Sequence, residues 1–202
     1  MKFKAIVCAG IILFFLKPVF SEEIVSGNQN FQIPNTQNLT IEADKITYLE
    51  ANEFVSASGN VLVVYKNYSI TANASVVDTK RDQLYLNHGF VMKRDQRAFT
   101  GYELDYNLQT ETGRATHVQF DFAGNYIKGK EVIIGKDKII IVDASQTVCD
   151  ARPPHYRIEA SRFVIYTRWN LMVADGAVLY LVGVPIAYIP NYVVDNQNQD
   201  VS

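Results

Sequence analysis

IEADKITY, Ile41 to Tyr48, returns about 29 residues later as ITANASVV, Ile70 to Val77. It returns again in FTGYELDY from Phe99, YIKGKEVII from Tyr126 and YRIEASRFVI from Tyr156. Each copy has an aromatic or β-branched anchor: Ile41, Ile70, Phe99, Ile127, Ile158. A small residue stands two places on: Ala43, Ala72, Gly101, Gly129, Ala160. A second series follows at nearly the same period: Ala57, Asn87, Ala115, Ala144, Ala174. Two series in step describe a unit of strand, polar turn and strand. A period in this range, one supersecondary unit per repeat, marks a stacked architecture.

Between these units run short apolar stretches such as NVLVVYKNYSITANASVV, DQLYLNHGFVM and DKIIIVDA. They are rich in β-branched and aromatic residues, and no sustained helical period appears after the first twenty residues. LEANEF, DTKRDQ, NLQTETG, IGKDK and YTRWN supply residues that satisfy a turning backbone. About ten strands in hairpin units predict an all-β chain, an antiparallel β-sandwich or jellyroll. Alternation turns one face inward. The interior candidates are Val61, Val63, Ile70, Ala72, Leu84, Leu86, Leu104, Tyr106, Val118, Phe120, Ile127, Ile139 and Ile141. VLVVY and KIIIV are apolar on both faces, so those strands sit in a thick part of the fold or line something greasy.

MKFK and then AIVCAGIILFFL read as the basic and apolar regions of a signal peptide, residues 1–21, cut after Ser21. The apolar run is too short for a spanning helix, which needs about 20 residues. Residues 22–38 read as a flexible segment, 39–192 as the folded domain and 193–202 as a polar tail; both flanking stretches are rich in Asn and Gln. Without Lys2, Lys4 and Lys17 the 19 Lys and Arg fall to 16, against 21 Asp and Glu. The basic residues are scattered, which argues against nucleic acid. Cleavage also removes Cys8 and leaves Cys149 alone in an oxidising compartment. An odd cysteine there suggests pairing with another chain or a free thiol.

Catalytic and metal motifs are weak. GNYIKGKE, Gly124 to Glu131, approaches a phosphate-binding loop, but Glu131 stands where Ser or Thr must hold magnesium, and strands flank it. His88, His117 and His155 lack metal-ligand spacing, although His88 and His117 lie one repeat apart and could be neighbours. No nucleophile elbow occurs. Asn38, Asn67 and Asn73 stand in sequons and read as polar surface. The sequence calls for no cofactor and no metal. GVPIAYIPNY, Gly183 to Tyr192, with two prolines, reads as an edge strand or an extended exit from the sheet.

IEADKITYLEANEFVSASGNVLVVY and ITANASVVDTKRDQLYL resemble the repeat of OstA-like periplasmic domains. TVCDARPPHYRIEASRFVIY followed by GVPIAYIPNY is similar to the N-terminal domain of the outer-membrane lipopolysaccharide assembly family, LptD/OstA, over roughly residues 39–192. The resemblance implies an OstA-like β-jellyroll open along one edge, with a hydrophobic groove for acyl chains lined by the interior candidates above. It implies a non-enzymatic periplasmic domain, associated with the outer membrane, that binds lipopolysaccharide and passes it toward an assembly barrel. Other jellyroll subunits would pair with its edge strands, and an outer-membrane β-barrel would be a further partner. Cys149 occupies the place of a family cysteine that bonds to the barrel. Shielding is needed because each buried CH₂ is worth about 0.8 kcal/mol, so a dozen-carbon chain resists water by roughly 10 kcal/mol. The alternatives are a free-standing soluble bridge subunit, a generic structural β-repeat protein, or a secreted carbohydrate hydrolase.

Overall fold

A computed structural model describes residues 23–32, 39–49, 53–94, 97–122 and 124–195, with backbone only for 23–32, 94 and 97. The signal segment 1–21, the sequon Asn38 and the tail from 196 onward lie outside the described residues. Every described element is a strand or a turn. The strands are β1 (Glu23–Gln32), β2 (Leu39–Leu49), β3 (Phe54–Tyr65), β4 (Tyr68–Asp78), β5 (Gln83–Leu86), β6 (Phe90–Arg94) and β7 (Arg97–Gly101). They continue as β8 (Glu103–Asn107), β9 (Thr112–Phe122), β10 (Asn125–Ile134), β11 (Lys138–Thr147), β12 (Tyr156–Tyr166), β13 (Leu171–Leu181) and β14 (Val184–Asp195). All pairings are antiparallel, and the fold is a β-jellyroll, as the repeat predicts.

The sheet folds over on itself along a crease that crosses every long strand. β4 shows the crease plainly. Its first half, Tyr68–Ala72, pairs with β6, and its second half, Ser75–Asp78, pairs with β5. β9 divides the same way, pairing with β8 through Thr112–Thr116 and with β7 through Gln119 and Phe120. β5 with β6, and β7 with β8, are thus each one long strand interrupted at the crease.

The inward-facing period of two slips by one residue there. Inward positions step by three from Ala43 to Ile46, Ala115 to Val118, Gly129 to Val132, Ile141 to Ala144 and Ala160 to Phe163. An unslipped strand would turn its second half outward, because one residue of slip reverses every side chain. The slip lets both halves face one interior. His117, Asp143 and Gly176 accommodate it in the left-handed region, with φ of 49°, 49° and 70°; in β3 and between β5 and β6 the inward step is four, and Asn60 and His88 are left-handed there, with φ of 46° and 67°. Glycine and Asn or Asp enter that region at least cost. His88 and His117 therefore do crease work. They are not direct neighbours, because Tyr102 stands between them, edge-on to both rings at 6.1 and 6.2 Å.

The crease also explains the small residues of both series. Ala43, Ala57, Ala115, Ala144 and Ala174 are buried beside it, where the two layers converge. A Cβ on Gly101 would meet the Phe90 ring at 2.7 Å, and one on Gly129 would strike Ile141. Bulkier side chains fill the interior farther out, among them Leu39, Ile70, Ile165 and Met172.

Strand pairing extends past both expected limits of the folded domain. Glu23–Gln32, within the segment read as flexible, pairs with β2 from Glu23↔Tyr48 to Gln32↔Thr40. Backbone groups supply such pairing whatever the side chains are, so a polar composition does not announce it. At the other end β14 runs on to Asp195. Among the described residues β1 and β14 each pair on one side only, leaving the sheet open at both edges.

Candidate functional site

All thirteen interior candidates face the space between the layers. Val61, Val63, Ile70, Leu84, Leu86, Leu104, Tyr106, Val118, Ile127 and Ile141 are buried, and Ala72, Phe120 and Ile139 are partly buried. Most of them make filled core. Tyr106, Phe120 and Ile139 instead line a cavity of about 290 Å³ away from the crease. Tyr68, Met92, Phe99, Phe120 and Phe122 line it from one layer; Tyr106, Ile134 and Ile139 line it from the other. Phe99 stacks at a tilt between Phe90 and Phe120, with centroids at 5.8 and 5.5 Å. The wall is thus apolar and largely aromatic.

The rim is polar. Glu111 and Lys136 stand at it. Lys66, on the β3–β4 turn, donates to Glu111 Oε1 at 2.7 Å on the β8–β9 turn, joining the two layers. That hydrogen bond, and a smaller one involving Tyr65, raise the Lys66 pKa above its ordinary value. The pair is solvent-exposed and contributes little to stability.

Toward β14 the interior carries a chain of polar groups. Tyr192 Oη donates to Gln146 Oε1 at 2.6 Å, Gln146 Nε2 donates to Asn125 Oδ1, and Asn125 Nδ2 donates to the Phe122 carbonyl at 3.1 Å. Burial, first of all, raises the Tyr192 pKa; the bond to Gln146 opposes this and Tyr156 adds to it. The folded chain therefore holds this phenolic proton more tightly than the unfolded chain, where tyrosine titrates near 10. Stability should fall as pH rises above that value. Urea titrations from pH 9 to 11 should show this fall, and Tyr192→Phe should flatten it; an unchanged slope in the variant would refute the assignment.

Cys149 lies on the β11–β12 loop, is partly exposed and is a free thiol. Its Sγ is 3.4 Å from His155 Nδ1. Its N–H donates to Thr147 Oγ1 at 3.0 Å, and that hydroxyl donates to the Tyr156 carbonyl at 2.6 Å, which fixes the base of the loop. The loop lies over the outer face of the sheet beside Tyr126, Lys128 and Arg157. The near phosphate-binding loop is part of β10, hydrogen-bonded on both sides to β9 and β11, so its amides cannot cradle a phosphate. No cluster of metal-ligating side chains occurs among the described residues. GVPIAYIPNY supplies most of β14, an edge strand; Tyr188 is 67% exposed and Val182, on the turn before it, 74%.

Fold and interior together define a jellyroll whose two layers enclose an apolar, partly open space. No family model matches the chain. It is similar to curated proteins named LPS-assembly protein LptD: that of Haemophilus influenzae is 25% identical over 181 residues, 86% of this chain. That of Neisseria meningitidis is 24% identical over 178 residues, again 86% of this chain, and that of Acinetobacter baumannii 22% over 178 residues, 81% of it. The similarity bears out the resemblance drawn from the repeat and from the Cys149 region. This chain spans only 22% of the length of each of these relatives.

Proposed function

We propose that this chain is a periplasmic lipopolysaccharide-carrying jellyroll, without enzymatic activity, that takes acyl chains between its layers and passes them toward an outer-membrane assembly barrel. The observation that carries the reading is the aromatic-lined 290 Å³ cavity between two layers of an open-edged sheet. Similarity to proteins named for lipopolysaccharide assembly supports the same reading. Of the thirteen interior candidates, Tyr106, Phe120 and Ile139 would be the groove's point of first contact, and the other ten are the packed core behind it. Other jellyrolls would join at the unpaired edges of β1 or β14. Cys149, on an accessible loop beside His155, would bond to a cysteine outside this chain.

A photoreactive benzoyl-phenylalanine at Phe120 tests the reading in native envelopes. Irradiation should attach lipopolysaccharide at Phe120 and not at the outward-facing Lys138. Equal labelling at both, or none at Phe120, would refute it.

A further inference from the structure

The polar chain Tyr192–Gln146–Asn125 stands where an apolar interior would be expected. Asn125 and Gln146 are each only 5% exposed, and Tyr192 is half-buried. Burying such groups costs free energy unless each is hydrogen-bonded, and here they satisfy one another. Their placement is specific. Tyr192 comes from the half of β14 that pairs with Leu171–Asp175, on one side of the crease. Gln146 and Asn125 come from the halves of β11 and β10 on the other side. The bond from Tyr192 therefore ties layer to layer. Asn125 ends the chain on the carbonyl of Phe122, itself a wall residue of the cavity. The clasp lies between that cavity and the β14 edge.

We propose that this clasp selects what passes from the cavity toward β14, admitting acyl chains that carry hydroxyl or amide groups in preference to plain hydrocarbon. The inference rests on the lipid-carrying reading above. Anything lying between the layers at this point must part Tyr192 from Gln146. Gln146 Oε1 then loses its donor inside a low-dielectric interior, and the tyrosine hydroxyl loses its acceptor. A hydroxyl or amide on the guest replaces both, whereas a methylene chain replaces neither. The clasp stays shut against the second and exchanges partners with the first.

The test uses the full chain and two pyrene-labelled probes, 3-hydroxyhexadecanoic acid and hexadecanoic acid, which differ by one hydroxyl. The wild-type chain should bind the hydroxylated probe about two- to tenfold more tightly, the range expected for one net hydrogen bond. Tyr192→Phe and Gln146→Met should each abolish the preference and leave hexadecanoic acid bound as tightly or more so. Equal affinities in the wild type, or a preference that survives in both variants, would overturn the clasp and leave the lipid-carrying reading standing. Failure of the wild type to bind either probe would overturn both. Tyr192→Phe removes a single oxygen, so it carries the test if Gln146→Met does not fold.

Discussion

Phe163→Ala should cost about 3–5 kcal/mol of folding stability, the range for emptying a large buried aromatic site. Phe163 is fully buried on β12, immediately beyond the crease. It faces Ile141 across β11 and Ala174 across β13, and its ring packs on Tyr192 at 6.2 Å. Ala174 is too small to collapse into the space, and Tyr192 is held in place by Gln146. The site therefore cannot close, and the cavity term adds to the lost transfer energy. Against a typical total of about 5–15 kcal/mol, such a loss leaves the chain marginal. Urea unfolding should show a lower midpoint with an unchanged slope. Tyr188→Ala, on exposed β14, should change stability by no more than about 0.5 kcal/mol. A Phe163→Ala midpoint close to that of Tyr188→Ala would show that the layers are not locked together here.

The repeat was legible because the crease imposes the same demand on each pair of strands. Ala57, Ala115, Ala144 and Ala174 are small because two layers converge there, and they recur at one or two times the spacing of successive strand pairs. The one-residue slip was present too, in the step of three from Ile141 to Ala144 or from Ala160 to Phe163. Strict alternation applied along a whole strand hides it, because the period of two holds only within each half. The polar clasp left no trace in the sequence. Residues 125, 146 and 192 share no spacing, and only the fold brings them together. The cavity was half legible. Tyr106, Phe120 and Ile139 were recognisable as inward-facing, but nothing local separates them from Val63 or Ile141, which are sealed in core. That separation depends on the distance to the facing layer, a property of the folded pair. Cys149 was conspicuous from the start, whereas its contact with His155 depends on how the intervening proline loop closes.

Ile139→Trp should weaken capture of lipopolysaccharide by about tenfold while leaving the fold intact. Ile139 lies at the start of β11, pairs with Ile134 and Ile165, and faces the 290 Å³ cavity opposite the aromatic wall. Overpacking ordinarily costs about 1–3 kcal/mol because a dense core has no room for added atoms. Here the added ring enters space already present, so no neighbour must leave its rotamer. The same ring denies that space to a guest. Displacing about two methylenes of acyl chain forfeits about 1.6 kcal/mol, slightly more than one order of magnitude in affinity. Ile141→Trp is the informative contrast. Ile141 is fully buried and already touches the position of a Cβ on Gly129, so the same ring there should destabilise the protein. Binding of labelled lipopolysaccharide and urea midpoints for both variants separate the two effects. If Ile139→Trp binds as the wild type does, acyl chains do not enter through this cavity. If it unfolds as readily as Ile141→Trp, the cavity is not open space in solution.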